Sequence, residues 1–553
     1  MQSVDFVTLA IFTALIFICG LSFSRSGKDM KSFFAAGGAL PWWMNGLSLF
    51  MSFFSAGTFV VWGSIAYSSG WVAVTIQWTM CISGALIGWL IAPKWQETRT
   101  ITAAQFITER LGQDTQKIYT YLFLLISMFT TGAFLYPVAK IVEVSTGIPI
   151  QASIIFLGLL ILIYTAVGGL WAVIVTDVLQ FVVLTAAVLI VVPLSLDKIG
   201  GLEAFIQHVP NDHFSLTNSE YTWGFMLAFG LYNLFFIAGN WAYVQRYTSV
   251  ATPNEAKKVG WLFSGLYAIS PVIWMLPPMV YRALNPDLEG LADEGAYLLM
   301  CKDVLPVGLL GLMLGGMVFA TSSSVNTTLN ISAGVLANDL YRAVFPHATG
   351  KELIRVGRLS TIVLGLVTIV VALMVPGMGG IVEVVMGLAA VTGGAMFLPP
   401  IWALFSKFLT GRAALSITLT ALVVNSFLKF VMPELLGYQL DRAAEMMVGV
   451  GIPMGLLIIY EAVAQIRSAD SSGYYVYQAK LATRAQETMA KPDEQGESSS
   501  NLQGARIIGM GTTFTGAMIF ILALWGQTAI WLVGGMGVLI ALLGVGIIRK
   551  SNR

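Results

Sequence analysis

The stretch AVGGLWAVIVTDVLQFVVLTAAVLIVVPL, residues 166–194, is almost wholly apolar, yet it contains Asp177 and Gln180. An apolar run of this length is long enough to cross a bilayer as an α-helix. A charged side chain at the bilayer centre costs about 2.5–3.5 kcal/mol on insertion scales, so such residues face a cavity or a partner and commonly mark an ion or substrate path. We therefore interpret Asp177 as a candidate functional residue. The alternative is that it only holds helices together, through hydrogen bonds to Thr176 or to a neighbouring helix.

The whole chain has the composition of an integral membrane protein. Of its 553 residues, 57% are hydrophobic and only 11% are charged. Backbone polar groups in lipid must be satisfied within the segment itself, so long apolar runs predict a bundle of transmembrane helices, whereas a barrel would show short alternating strands. The apolar runs of this chain predict about fifteen spans.

Lysine and arginine residues fall mostly on one side of the predicted topology. Six of the thirty lie in loops of the opposite parity, namely Lys140, Lys198, Arg282, Lys302, Lys429 and Arg442. The positive-inside rule then predicts an outer amino terminus and a cytoplasmic carboxyl terminus, with the first apolar run retained as a helix. We expect a multi-pass protein of the plasma membrane, which in bacteria is the inner membrane. The net charge of +1 gives no reason to expect nucleic acid as a partner.

No motif of an enzyme or of an ATP-driven pump is found in the sequence. It has neither a nucleophile elbow nor a phosphate-binding glycine-rich loop. The three cysteines are far apart, and the three histidines have no cysteine or carboxylate at a metal-ligand spacing. We therefore expect no enzymatic activity, no disulfide framework and no metal site of these residue types. The polar segment 467–505 predicts a disordered cytoplasmic linker.

A second polar stretch, GGMVFATSSSVNTTLN at residues 315–330, is the favoured partner of Asp177. Six of the eight residues 321–328 are Ser or Thr. At helical spacing one face of this stretch aligns a backbone carbonyl with hydroxyl oxygens, from Ala320, Ser323, Ser324 and Thr327. Neutral oxygens beside a carboxylate suit a small hard cation. The alternative is that these small residues only allow helices to approach closely.

These stretches carry a resemblance to a known family. GGLWAVIVTDVLQ (168–180) and ATSSSVNTTLNISAGVLANDLY (320–341) resemble the two most diagnostic stretches of the sodium:solute symporter family. Members of that family include sodium/galactose, sialic acid and proline transporters. PWWMNGLSL (41–49) and NWAYVQRYTS (240–249) also fit the family pattern, and the resemblance extends over Asp5 to Val463.

The resemblance implies an all-α membrane protein of the leucine-transporter type, with two inverted repeats of five helices and additional helices around them. The implied divisions are a leading helix and loop (1–39), a first repeat (40–222), a second repeat (223–410), two helices (411–466), the linker (467–505) and a helical hairpin (506–553). In such folds the first helix of each repeat is broken near the membrane midplane. The breaks would fall near FFSAGT (53–58) and FIAGN (236–240).

The resemblance also implies which residues bind the co-transported sodium ion. The principal site would use the carbonyls of Met51, Phe54 and Ala320 and the hydroxyls of Ser323 and Ser324. Some members bind a second sodium through an acid and hydroxyls one turn farther along the helix, and the matching positions are Asp177, Asn326 and Thr327. Thr327 fits this pattern, whereas Asn326 replaces a hydroxyl with an amide.

For the solute, the resemblance points to a central cavity with an inner and an outer aromatic gate. The corresponding residues are Ser55, Thr58, Gln77 and Asn233, with Phe236 at the inner gate and Trp62 towards the outside. The alternative role for each polar residue is to satisfy a backbone group at a helix break. Thr130 stands where sialic acid transporters carry an arginine, and Gly57 and Thr58 stand where galactose transporters carry an acid and an amide. These departures favour a neutral, hydroxylated solute only slightly.

We therefore expect a symporter that imports a small polar solute with sodium by alternating access. A carboxylate or an amino acid as solute, and a proton-coupled transporter of the same fold, remain alternatives. A membrane sensor is less favoured because no signalling motif follows Val463. The partners expected are the solute, sodium and the lipid bilayer, and the sequence does not specify an oligomeric state.

Overall fold

The computed structural model describes residues 1–21, 40–100, 102–164, 170–288, 290–490, 494–526 and 529–551. Within these ranges the chain forms helices joined by short connections, and no strand occurs in them.

Helices up to the middle of the chain comprise a leading helix and a first set. They are α1 (Ser3–Leu21), α2 (Trp42–Met51), α3 (Gly63–Ser69), α4 (Val72–Leu86), α5 (Ala92–Glu97), α6 (Ala103–Leu111), α7 (Gln113–Thr146), α8 (Ile150–Tyr164), α9 (Leu170–Ile199) and α10 (Leu202–His208).

The remaining helices comprise a second set, then a carboxyl-terminal group. The second set is α11 (Trp223–Gly239), α12 (Trp241–Thr248), α13 (Pro253–Trp274), α14 (Leu276–Leu284), α15 (Ala296–Val304), α16 (Leu309–Val335), α17 (Arg342–Val344), α18 (Gly350–Met374), α19 (Ile381–Thr392) and α20 (Leu398–Phe405). The carboxyl-terminal group is α21 (Gly411–Ser426), α22 (Met432–Leu436), α23 (Arg442–Ile466), α24 (Ser472–Ala490), α25 (Glu494–Gly526) and α26 (Ile530–Ser551).

Short irregular helical turns interrupt or join these helices. The 3₁₀ turns are Asn211–Phe214, Gly290–Gly295 and Val375–Met378. The π-helical turns are Thr58–Trp62, Ile87–Ile91, Leu336–Tyr341, Gly393–Phe397 and Phe427–Val431. Single π turns inside α-helices are frequent at functional sites, and two of these turns, at Thr58–Trp62 and Gly393–Phe397, contribute to the cavity described below.

Ten helical segments of the described residues are long and apolar enough to cross a membrane, or eleven if the bent pair α11 and α12 counts as one span. Three shorter apolar helices add to these, at Ser3–Cys19, Ile150–Leu162 and Leu309–Ser322. The count of about fifteen spans predicted from the sequence is therefore not confirmed by length and composition.

Side-chain caps fix where several helices begin. Thr102, Thr222, Thr252 and Asp441 each accept a hydrogen bond from a backbone N–H in the first turn of the helix that follows. Thr349 and Glu352 form a reciprocal capping box at the start of α18. Each cap satisfies an N–H group that the first turn of a helix leaves without an intrahelical partner.

The carboxyl-terminal hairpin of α25 and α26 packs on the back of the helix that carries Asp177. Leu179 of α9 belongs to a buried apolar cluster with Phe12 of α1, Ile519 of α25 and Ile540 of α26. The approach is close, because a Cβ atom at Gly511 would lie 2.5 Å from the Leu179 side chain. The hairpin is thus an integral part of the helix bundle.

The prediction of a disordered linker is wrong for the segment that forms α24. Tyr474, Tyr477, Leu481 and Arg484 recur at helical spacing and are its less exposed side chains. The Tyr477 ring meets Phe106 edge to face, with ring centroids 5.8 Å apart, and the Arg484 guanidinium binds the Glu109 carboxylate at 2.5 and 2.8 Å. The segment therefore docks on α6. Its apolar stripe is short, and the ion pair with Glu109 adds to the contacts that hold the helix in place.

Candidate functional site

The first helix break lies between α2 and the π turn at Thr58, where the sequence predicted it. The Ser55 N–H, which would bond the Met51 carbonyl in a continuous helix, instead donates to Thr58 Oγ1 at 3.2 Å. The Thr58 hydroxyl in turn donates to the Phe53 carbonyl. Thr58 therefore caps the break, and the Met51 carbonyl is released from its usual intrahelical partner.

A hydroxyl on α16 completes this break from across the bundle. Thr321 Oγ1 accepts a hydrogen bond from the Ala56 N–H at 3.1 Å and donates to the Met317 carbonyl at 3.0 Å. Both Thr321 and Ala56 are fully buried. Sequence reasoning counted Thr321 among the hydroxyl residues of this stretch without giving it a role, because the partner N–H exists only once the helix is broken.

The second break separates α11 from α12 and bends the chain by 63° at Asn240. Asn240 caps α12, with its Oδ1 accepting from the Ala242 N–H at 3.0 Å. Gly239 packs directly on the neighbouring π turn, since a Cβ there would lie 2.9 Å from Phe397. This break also falls where the sequence predicted it.

A cavity of about 180 Å³ lies between the two breaks. Its wall includes five of the six residues predicted to contact solute, namely Ser55, Thr58, Asn233, Phe236 and Trp62. Asp177, Ser324 and Thr130 line it as well. The structure thus brings together five of the six predicted solute residues, the acid of α9 and a hydroxyl of α16.

Gln77, the sixth predicted solute residue, does not line the cavity. Its side chain is 1% exposed, and neither its amide oxygen nor its amide nitrogen has a hydrogen-bond partner among the described residues. Asn233 lines the cavity and donates to Thr79 Oγ1 at 3.0 Å, so one of its two amide protons is already used within the protein.

The predicted sodium ligands are only partly described. Met51, Phe54 and Ala320 are buried, and Ser324 lines the cavity. The side chains of Ser323, Asn326 and Thr327 lie outside the described part of the structure. The Ala56–Thr321 hydrogen bond holds the first break against the helix that carries Ala320 and Ser324.

Aromatic rings form much of the cavity wall. Phe236 lies within 6.3 Å, centroid to centroid, of Phe53, Tyr232, Tyr243 and Phe397. Trp62, on the π turn of the first break, meets Phe229 edge to face at 5.9 Å. Such rings give a solute apolar faces to stack on, while a few polar groups between them fix its orientation.

Two charged side chains of the described residues, Asp177 and Arg246, line the cavity, and both contact one serine. The Ser48 hydroxyl donates to Asp177 Oδ2 at 2.6 Å. A guanidinium nitrogen of Arg246, on α12, lies 3.4 Å from Ser48 Oγ and donates to it. Sequence reasoning missed Ser48 and Arg246, although Arg246 lies within NWAYVQRYTS and is a charged residue in an apolar setting, which was the available signal.

A loop between α14 and α15 binds three helices. The Asp293 carboxylate accepts from Ser64 Oγ on α3 at 2.7 Å. Glu294 accepts from the Tyr136 hydroxyl on α7 at 2.8 Å and from the Ile381 N–H at the start of α19 at 2.9 Å. Burial raises the pKa of the Asp293 carboxyl to about 6 and also raises the pKa of Glu294.

Comparison with known proteins gives the same family as the sequence motifs. A model of the sodium:solute symporter family matches residues 33–420. The chain is 26% identical over 465 residues to the sodium/glucose cotransporter of Vibrio parahaemolyticus, which covers 77% of this chain and 85% of that protein. It is also 26% identical over 382 residues to the sodium/sialic acid symporter NanT of Aliivibrio fischeri, which covers 66% of this chain and 76% of that protein.

A solved structure shows the fold. The outward-open, substrate-bound form of a Na⁺-coupled sialic acid symporter superposes with a TM-score of 0.68 at 21% identity, covering 84% of this chain and 98% of that one. The predicted fold class, an all-α membrane protein of the leucine-transporter type, is confirmed. The chain therefore belongs to the sodium:solute symporter family, whose proteins are transporters and not enzymes, and it moves a small-molecule solute together with sodium across a membrane.

Proposed function

We propose that this symporter imports a small, neutral, hydroxylated solute, such as a sugar, by alternating access. The observation that carries the proposal is the cavity between the two helix breaks, whose wall combines Ser55, Thr58 and Asn233 with aromatic rings. Hydroxyl and amide groups exchange hydrogen bonds with solute hydroxyls, and the rings cover the apolar faces of the solute.

Sodium, in this proposal, binds where the first break meets α16. Its ligands are the carbonyls of Met51, Phe54 and Ala320 and the hydroxyls of Ser323 and Ser324. The freed Met51 carbonyl supports this assignment, because a small cation prefers oxygen ligands that the backbone does not already use. A second sodium would use Asp177 with Asn326 and Thr327.

Coupling follows from the position of the sodium site. An ion that orders the first break also orders Ser55 and Thr58, which belong to the solute wall. By linkage, sodium then raises the affinity for solute by the same factor by which solute raises the affinity for sodium. The membrane potential adds about 2.3 kcal/mol per elementary charge moved through 100 mV.

A solute bearing a carboxylate is the second candidate. Arg246 contributes a guanidinium to the cavity wall, and guanidinium groups bind carboxylates through paired N–H donors. Gln77 would take part in solute recognition only after a rearrangement that brings its buried amide to the cavity.

The topology proposed places the amino terminus outside and the carboxyl terminus in the cytoplasm of a bacterial inner membrane. A single engineered cysteine near each end, labelled with a membrane-impermeant maleimide in intact cells and again in permeabilised cells, tests this. Labelling of the amino-terminal cysteine only after permeabilisation would contradict the proposed topology.

Uptake in proteoliposomes tests the transport proposal. The purified protein is supplied with sugars, sialic acids, amino acids or short carboxylates, each with an inward sodium gradient or with potassium in its place. We expect sodium-dependent, saturable uptake of a sugar or another hydroxylated solute. Sodium-driven uptake of carboxylates alone would replace the neutral solute with the second candidate.

Two substitutions test the sodium site. Ser324→Ala removes a proposed ligand and should raise the sodium concentration needed for half-maximal uptake. Ser322→Ala is the matched control, because its hydroxyl donates to the Val318 carbonyl of its own helix at 2.7 Å. Equal sodium dependence in the two variants would remove Ser324 from the site.

A further inference from the structure

We propose that Ser48 is a positioning residue for sodium coupling, which links the acid of α9 to the guanidinium on α12. The proposal rests on the sodium-coupled mechanism above, and it gives a role to a residue that lies within PWWMNGLSL (41–49) but belongs neither to the predicted sodium ligands nor to the solute wall. Ser48 lies one turn before Met51, on the short helix that ends at the first break.

The contacts of Ser48 have a defined direction. Its single hydroxyl proton goes to Asp177 Oδ2 at 2.6 Å, a short distance that is typical of a hydroxyl bonded to a carboxylate. Its oxygen then accepts from the Arg246 guanidinium at 3.4 Å. Ser48 is 0% exposed, so water does not compete for either contact.

The charges on either side of Ser48 explain why a hydroxyl is needed there. Arg246 is 4% exposed and Asp177 is 5% exposed, so two buried charged groups contact the same serine. A second nitrogen of the guanidinium donates to the Ala242 carbonyl at 2.6 Å, and within the part of the chain that the structure describes its Nε has no hydrogen-bond partner. A serine between the two ions accepts from the cation and donates to the anion at the same time, which an alanine would not do.

Hydrogen bonds also join the start of α2 to the end of α12. The Asn45 side chain donates to Ser249 Oγ at 3.2 Å, and the Leu40 N–H donates to the Ser249 carbonyl at 3.0 Å. With the Ser48–Arg246 contact, these bonds make the inner halves of the two broken helices one unit. Ser48 is therefore the point at which that unit meets the acid on α9.

A cation that draws the Asp177 carboxylate towards itself acts on this unit through Ser48. The effect also runs from Ser48 to the ion. The hydrogen bond from Ser48 fixes one oxygen of the Asp177 carboxylate and keeps the Met51 carbonyl, one turn away, in position. Loss of the hydroxyl should therefore weaken sodium binding and reduce the effect of sodium on solute affinity, without removing a group that touches either ligand.

The test compares Ser48→Ala, Ser48→Thr and Ser195→Ala by sodium titration of uptake and by sodium-dependent thermal stabilisation without solute. Ser195 is equally buried on α9, and its hydroxyl donates only to the Val191 carbonyl at 2.8 Å, so it controls for loss of a buried hydroxyl. Loss of a hydrogen bond to a charged group predicts about a tenfold or greater rise in the half-saturating sodium concentration for Ser48→Ala, with near-normal maximal uptake. Ser48→Thr keeps the hydroxyl and should restore the sodium dependence.

Two results would overturn the proposal. One is a Ser48→Ala variant whose sodium titration matches that of Ser195→Ala in both measurements. The other is an unchanged factor by which sodium lowers the half-saturating solute concentration. If Ser324→Ala shifts the sodium titration and Ser48→Ala does not, the sodium site stands and the role of Ser48 fails; if neither shifts it, the site itself is misplaced.

Discussion

An ion pair contributes to the docking of α24 on α6, and the structure allows us to estimate its strength. Arg484 forms a two-nitrogen contact with the Glu109 carboxylate, and their side chains are 30% and 16% exposed. We expect Arg484→Glu to release α24 from α6, because two carboxylates would then face each other. Glu109→Arg combined with Arg484→Glu should restore docking.

The free energy that the Arg484–Glu109 pair contributes to docking follows from its partial burial. Fully exposed ion pairs contribute about 0.2–1 kcal/mol, and hydrogen bonds to charged groups contribute about 1.5–3 kcal/mol. A two-nitrogen, partly buried pair should fall between these, at about 1–2 kcal/mol, which is about a 5- to 30-fold change in the ratio of docked to undocked helix.

Amide hydrogen exchange over 472–484 measures that ratio directly. Protection of the 472–484 amides should fall in Arg484→Glu and return in the double variant with both charges reversed. Protection of α23 should not change. Protection of α6 should fall as well, because Phe106 loses the Tyr477 ring. Unchanged exchange in the single variant, or no recovery in the double variant, would refute the view that this pair holds the helix in place.

Three further predictions concern the site and its surroundings. Thr321→Val leaves the buried Ala56 N–H without its acceptor and should raise half-saturating sodium by a factor corresponding to about 1–3 kcal/mol, whereas Thr321→Ser should not; equal titrations would contradict this. Gly239→Ala should destabilise the protein by about 1–3 kcal/mol in thermal unfolding because its Cβ meets Phe397 at 2.9 Å, while Gly265→Ala, with nothing within 4 Å, should not. Burial raises the pKa of Asp293 to about 6, with its neighbour Glu294 and Lys140 of α7 as the nearby charges, so the docked loop binds a proton more tightly than a free carboxyl does. Docking of the 290–295 loop should therefore be strongest below the ordinary carboxyl pKa and should weaken as pH rises to about 6, with no further change from this group above 6. Asp293→Asn should flatten that pH dependence, measured by hydrogen exchange of the loop.

Much of the architecture could be predicted because it depends on patterns that extend along the chain. Apolar length predicts spanning helices, and glycine beside small or polar residues at 53–58 and 236–240, together with the family resemblance, predicts both breaks. The polar residues at the first break, Ser55 and Thr58, line the cavity, and their contact with solute stays a prediction.

Features that depend on partners far away in the sequence could not be predicted. Gln77 was assigned to the solute by motif position, yet the rotation of α4 buries its amide away from the cavity. The role of Thr321 requires an N–H group 265 residues earlier, and the contact of Ser48 with Asp177 spans 129 residues. The sequence predicted disorder for the α24 segment because only four of its residues form a less exposed stripe, which is a weak signal for a helix. Their contacts with α6 stabilise the helix, and the sequence of the segment does not show those contacts.

The carboxyl-terminal hairpin changes what surrounds the helix that carries Asp177. With Gly511 against Leu179, the back of α9 meets protein side chains where it would otherwise meet acyl chains. Lipid neighbours exchange rapidly and differ between membranes, whereas the neighbours supplied by α25 and α26 are encoded in the chain. The helix that carries Asp177 therefore keeps a fixed set of protein contacts on this face, and these contacts do not vary with the composition of the bilayer.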